Sequence, residues 1–182
     1  LENQTLEVQL EVIKKFPRYI EYIKNPNEQL QLEVIHAHPV FIKFIDNPTE
    51  LVKLDVAQKD ESGSSFQFIK DSTEQAQLEV IKHSASHICF IKNPTELTQL
   101  KAVEKDVLSI QLINNPTEEA QLEVIRQNAF NIKYIKNPTL IVQLEAVKQD
   151  ASNIQLIENP VEQVQLETIR QNGKYAWSQK GE

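Results

Sequence analysis

Asn-Pro stands at residues 25, 47, 93, 115, 137 and 159, and successive pairs lie 22 residues apart except for one gap of 46. Asp71-Ser72-Thr73 divides that gap as a degenerate start, and Asn3-Gln4-Thr5 supplies a first one. Eight units, starting near residues 3, 25, 47, 71, 93, 115, 137 and 159, then fill the chain. A beat of this size means stacked units, none of which can bury a core alone. It sets aside single-core folds before any residue is read for chemistry.

Within a unit numbered from its Asn as position 1, the signals are those of two helices. Asn is a good N-cap, Pro suits the first helical turn, and the Glu at position 4 would complete a capping box, so a helix is predicted to begin at Asn-Pro. The residue before Pro is driven out of the helical region, which ends whatever precedes it. A second start recurs at position 14 as Asp60, Asp106, Asn128, Asp150 and Asn172, with Pro17 and Pro39 at position 15 of the first two units. The remaining length holds about two turns, α or 3₁₀. Gly63, Gly173 and Gly181 all lie outside the regular units, so Asn, Asp and Pro must turn the corners.

At about 100° per residue, positions 6, 10, 7, 11 and 8 line one broad side of the longer helix, which is read as the core side. Leu holds position 8 in every unit, from Leu10 to Leu166, and positions 10 and 11 are mostly Val, Ile or Ala. On the shorter helix, pairs such as Ile20 and Ile23 or Ile132 and Ile135 continue these core columns. Gln sits at position 7 from Gln9 to Gln165, with Lys53 the exception. Burying an amide without partners costs about 1–3 kcal/mol, so a ladder is expected in which each Gln bonds a neighbouring amide or a corner's backbone. Position 9 is acidic in seven units, as in Glu33, Glu79, Glu123, Glu145 and Glu167, with Lys101 the exception, and is expected opposite the core. Lys or Arg one turn later makes it read as a solvated face, with an acidic strip for a basic partner as the alternative.

A longer beat overlies the short one. Units starting at 47, 93 and 137 carry Leu51, Leu97 and Ile141 at position 5 and Asp at position 14, whereas the units between them carry Gln or Glu at position 5. The predicted fold class is therefore all-α: an α-solenoid of eight 22-residue two-helix repeats with a 44-residue superperiod, one domain over 1–182 with a C-terminal cap at 173–182.

Composition narrows the partners. With 40% hydrophobic and 25% charged residues and a mean hydropathy of -0.42, the 182-residue chain reads as a soluble folded protein. It lacks the run of about 18 apolar residues that a membrane span requires, and nothing near Leu1 resembles a signal peptide, so a cytosolic location is expected. Cys89 is alone, which leaves no internal disulfide, and the absence of Met, initiator included, suggests a piece cut from a longer parent. A net charge of -7 argues against wrapping a nucleic-acid backbone.

The phrases AVKQDASNIQLI (146–157) and VIRQNAFNIKYI (124–135) resemble a repeat family of unknown function seen in bacterial, bacteriophage and giant-virus proteins. The alternation of long and short helices also looks like leucine-rich-variant and HEAT-like solenoids. The resemblance spans nearly all of residues 3–172 and implies a structural repeat without catalytic residues. It makes a phage or mobile-element origin an expectation, in the bacterial or host cytosol. The chain departs from the pattern at Glu61-Ser62-Gly63 and after Gly173.

Chemistry has few places to reside. His83, His87 and Cys89 lie across one corner and could meet a metal, but no second cluster completes a site. His36 and His38 read as surface or corner residues. The stretch 60–65 lengthens one corner, as a tolerated insertion or a contact loop. There is no Gly-rich phosphate loop, nucleophile elbow or paired-Cys zinc spacing, so no catalytic residue, cofactor or metal is expected. Leu51, Leu97, Leu140 and Ile141 form a candidate apolar partner or self-association surface, the position 9 carboxylates a candidate acidic one, and Tyr175 and Trp177 a candidate end cover. The expected function is a non-enzymatic scaffold that binds another protein along an extended surface. The alternative is a phage or mobile-element inhibitor that binds a host defence protein through acidic columns mimicking nucleic acid.

Overall fold

A computed structural model describes residues 4–178, with side chains for 4–172. Eight α-helices occur in it: α1 (Leu6–Lys15), α2 (Glu28–Ala37), α3 (Glu50–Lys59), α4 (Glu74–His83), α5 (Glu96–Lys105), α6 (Glu118–Gln127), α7 (Leu140–Gln149) and α8 (Glu162–Ser178). Between them lie seven 3₁₀ helices: Pro17–Tyr22, Pro39–Phe44, Ser64–Phe68, Ala85–Phe90, Val107–Leu112, Ala129–Tyr134 and Ala151–Leu156. Among the described residues there is no strand, and the helix/3₁₀ pairs repeat about every 22 residues as in an α-solenoid. By its contacts the chain divides into two compact units, residues 1–98 and 99–182. In the first, α1 packs on α2, α2 on α3 and α3 on α4; in the second, α6 packs on α7 and α7 on α8.

The N-cap is not the Asn of Asn-Pro. It is the residue at position 3: Thr5, Asn27, Thr49, Thr73, Thr117 and Thr139 hold extended backbone, and each side-chain oxygen accepts the amide three residues on. Asn and Pro form the corner before it. Glu at position 4 is therefore the first helical residue, where it meets the positive end of the helix dipole instead of closing a capping box. The shift by two residues has a cause in the corner itself, because the Pro carbonyl is committed to a Gln side chain and an extended residue must follow before the helix can begin. Among the described residues Asn25 is the one non-glycine with a positive φ, 58°.

The second helix is 3₁₀. Ser84, Asp106, Asn128 and Asp150 cap it by accepting the amide two residues on, and Pro17 and Pro39 open it where no N–H is needed. Asp60 departs from this role. Gly63 at φ 67° is the cap of Ser64–Phe68, while the Asp60 carboxylate gathers the Ser62 and Ser65 amides at 3.1 and 2.7 Å. Asn172 starts nothing, since α8 runs through it. No Ile pair follows it whose burial would hold a 3₁₀ turn.

Positions 6, 10 and 11 supply the core, with Leu30, Val34 and Ile35 or Ala120, Val124 and Ile125 at 0–1% exposure, joined by Ile20, Ile42, Ile88 and Ile132 from the 3₁₀ helices. Leu at position 8 is not a core column. Leu32, Leu54, Leu78, Leu122 and Leu144 are half-buried, and so are the position 9 acids Glu33, Asp55, Glu79, Glu123, Glu145 and Glu167. The buried arc centres between positions 10 and 7, which puts positions 8 and 9 on its two flanks at equal angles and places positions 5 and 12 opposite the core. The 44-residue beat shows in the 3₁₀ helices at position 17, where Ser65, Ser109 and Asn153 are buried but Phe41, His87 and Asn131 are only half-buried.

Candidate interaction surface

The recurrent Gln residues build the corners. Nε2 of Gln31, Gln121, Gln143 and Gln165 donates to the carbonyl of the Pro five residues earlier at 2.8–3.0 Å. Oε1 of Gln31, Gln77, Gln99 and Gln121 accepts the backbone amide of Thr49, Thr95, Thr117 and Thr139 at 2.8–3.1 Å. Of the two expected partners, the corner backbone is the one used. Gln31, Gln77 and Gln121 thus clamp their own corners to the N-cap of the next repeat, satisfying backbone groups that lie outside any helix, whereas Gln143 makes only the bond to its own corner and its Oε1 has no partner among the described residues.

Within each unit neighbouring 3₁₀ helices pack side by side along one edge, and in the first unit that edge is aromatic. A 3₁₀ helix has three residues per turn, so residues i and i+3 eclipse one another. Phe16, Tyr19 and Tyr22 accordingly form one ridge, with ring centroids 5.4 and 5.8 Å apart. His38, Phe41 and Phe44 form the next, at 5.7 and 5.9 Å, and His87 meets Phe90 at 6.0 Å. Neighbouring 3₁₀ helices pack side by side from Pro17–Tyr22 to Ala85–Phe90. Arg18 joins two ridges, its guanidinium 5.6 Å from the Phe44 ring while Nε pairs with Glu21 at 3.4 Å. Phe16, Tyr19, Tyr22 and Phe68 are 55%, 43%, 62% and 42% exposed, so the strip is open to a partner. Glu21, as hydrogen-bond acceptor and then as a neighbouring charge, raises the Tyr22 phenol above its ordinary range. A cavity of about 330 Å³ opens beside it, between the corners at Lys24–Pro26 and Asp46–Asn47, with Tyr22 and Phe44 in its walls and Gln31 at its lining.

The residues singled out in the sequence fall elsewhere. Leu51, Leu97, Leu140 and Ile141 are exposed at 39–54%. In the first unit Leu51 on α3 and Leu97 on α5 are separated by α4, which presents the exposed Gln75 at the same position. Scattered apolar residues of this kind need no partner. The acidic column lies on a helix flank, where Asp55, Glu79, Glu123 and Glu167 each have a local cation. Asp55 meets Lys59 at 3.0 Å and His36 at 3.3 Å, Glu79 pairs with Lys82, Glu123 lies 3.6 Å from Arg126, and Glu167 lies 3.8 Å from Arg170. Glu145 accepts from Gln149 at 3.3 Å, and Glu33 is half-buried on α2.

Among the described residues no three His, Cys, Asp or Glu side chains group as metal ligands. His83 Nε2 lies 3.1 Å from the Ala57 carbonyl, His87 packs against Gly63, and Cys89 is exposed. Tyr175, Trp177 and the expected cap at 173–182 lie outside the described side chains. Comparison with protein-family models, with curated proteins and with solved structures finds no match for this chain.

In the sequence the aromatic strip is overshadowed by the more regular Ile pair of each short helix. Its signal was present as Phe or Tyr at i and i+3 in FPRYIEY and at positions 41 and 44 of PVFIKF.

Proposed function

We propose that this protein is a non-enzymatic binding module whose contact surface for another protein is the 3₁₀ edge of the first unit. The observation that carries the reading is the exposed run of Phe16, Tyr19, Tyr22 and Phe68 on rigid 3₁₀ turns. Aromatic residues dominate the energetics of protein interfaces, and interface centres are depleted in charge. The strip is aromatic, Arg18 and Glu21 neutralise one another within it, and Lys43 lies over the Phe44 ring at 5.0 Å as a further cation. On the α-helices the carboxylates Asp55, Glu79, Glu123 and Glu167 pair with a nearby Lys or Arg.

The triple change Tyr19→Ser, Tyr22→Ser, Phe68→Ser tests the proposal, because all three side chains are exposed and their loss leaves the core intact. Immobilised wild-type protein should retain a protein from its native host lysate that the triple variant loses, while Leu51→Ser with Leu97→Ser retains it. Hot-spot truncations of this kind cost about 2 kcal/mol or more each, so the loss should exceed a hundredfold in affinity. Retention by the triple variant, or loss with the Leu pair alone, would overturn the proposal.

A further inference from the structure

Helices α1 and α8 carry opposite halves of one repeat junction. At about 100° per residue, positions 6 and 10 lie on one flank of the buried arc and positions 11 and 8 on the other, so the first pair turns toward the preceding repeat and the second toward the following one. Burial follows that order. Position 6 is 0–1% exposed from Leu30 to Val164, yet Val8 in α1 is 43% exposed, and Val12 at position 10 is only half-buried where Val34, Val56 and Val124 are closed. Position 11 is 0–3% exposed from Ile13 to Val147, yet Ile169 in α8 is 67% exposed and Leu166 at position 8 is 58% exposed. The α1 face is thus open on the side where α2 and α3 meet a predecessor, and the α8 face on the side where α6 and α7 meet a successor.

The polar groups of the two faces match as well. Gln165 Nε2 holds the Pro160 carbonyl at 2.9 Å, but among the described residues no Thr amide meets its Oε1, as one does at Gln31, Gln77, Gln99 and Gln121. Thr5 stands at that Thr position in the first repeat, and its amide donates no hydrogen bond among the described residues. Charge agrees. Between α2 and α3, position 12 meets position 9 of the next repeat, with His36 Nε2 3.3 Å from Asp55. The same register across the open faces sets Arg170 against Glu11. We infer that α8 of one copy receives α1 of a second copy as its next repeat, so that the chain associates head to tail. A second copy is the occupant because one chain carries both faces, and they match in apolar residues, clamp and charge. Arrays that stay apart close their ends with polar outer faces, which Val8, Leu166 and Ile169 do not provide. The contact is heterologous, since it joins two different patches and leaves one of each unused. It does not rest on the aromatic strip.

Sedimentation velocity at rising concentrations of the 182-residue chain should show reversible association of the wild type. Val8→Lys and Ile169→Lys alter exposed positions and leave the core intact. Each should weaken association about a hundredfold or more, because each sets an ammonium in a closed apolar junction. Mixed, the two variants should associate again, as an equimolar pair that grows no further, since Ile169→Lys keeps its α1 face and Val8→Lys its α8 face. Ile141→Lys, at an exposed position opposite the core, should associate like the wild type. A wild type that stays monomeric would mean that the chain's own residues close these faces, and persistence in Val8→Lys alone would mean that α8 pairs with α8. Either result, a mixture that stays monomeric, or loss with Ile141→Lys would overturn the inference.

Discussion

Replacing Gln121 by Leu removes two hydrogen bonds at once. Its Nε2 is 3.0 Å from the Pro116 carbonyl and its Oε1 3.1 Å from the Thr139 amide, on a side chain 4% exposed. The variant strands an acceptor and a donor, each at about 1–3 kcal/mol, while burying a side chain that has no amide to desolvate recovers part of that sum. A net loss of about 2–3 kcal/mol follows. Gln143→Leu is the matched comparison: it breaks one bond at Pro138 but also removes an oxygen that had no partner, so its cost should stay within about 1 kcal/mol. Repeat proteins need not unfold in one step, so the Thr139 amide is the better reporter. Its hydrogen exchange should quicken by about 30- to 150-fold in Gln121→Leu. Equal destabilisation by the two changes, or unaltered exchange at Thr139, would refute the reasoning that the Gln column clamps corners.

Three further outcomes follow from the local geometry. Thr117→Ala removes the hydroxyl that accepts the Ala120 amide at 3.3 Å, and thermal denaturation should show a loss of about 1 kcal/mol. Gly63→Ala places a Cβ 2.7 Å from the His87 ring at φ 67°, so a loss of about 1–3 kcal/mol is expected by the same assay. At Asp60, burial alone would raise the carboxyl pKa, but hydrogen bonds from Ser62 and Ser65 outweigh it and hold the folded value below 3.8. A depressed carboxyl contributes stability above the unfolded pKa and loses it as pH falls through the folded one, so Asp60→Asn should make the melting-temperature decline below about pH 3.8 shallower than in wild type, while Asp150, also depressed, keeps its share.

The period was legible because one dipeptide repeats at a fixed spacing, and Gln at position 7 announced that a buried amide had regular partners. The cap position was less legible. The Asn, Pro and Thr that open a unit are all good start signals, and only the commitment of the Pro carbonyl to Gln decides between them. Leu at position 8 misled because its identity is invariant while its angle places it on a flank, where it is only partly covered. The aromatic edge was obscured by helix type: Phe16, Tyr19 and Tyr22 form a ridge only at three residues per turn. Val161 at the Thr position of the eighth unit is a single substitution in a long pattern, and its effect emerges only through the oxygen it leaves open on Gln143.

An amide hydrogen-exchange map of the intact protein tests the central claim most directly, because each corner amide reports its own Gln. Thr49, Thr95, Thr117 and Thr139 should all be protected, and Val161, at the same place in its unit, should exchange at least tenfold faster. Uniformly fast exchange at the four threonines, or protection of Val161 equal to theirs, would contradict it.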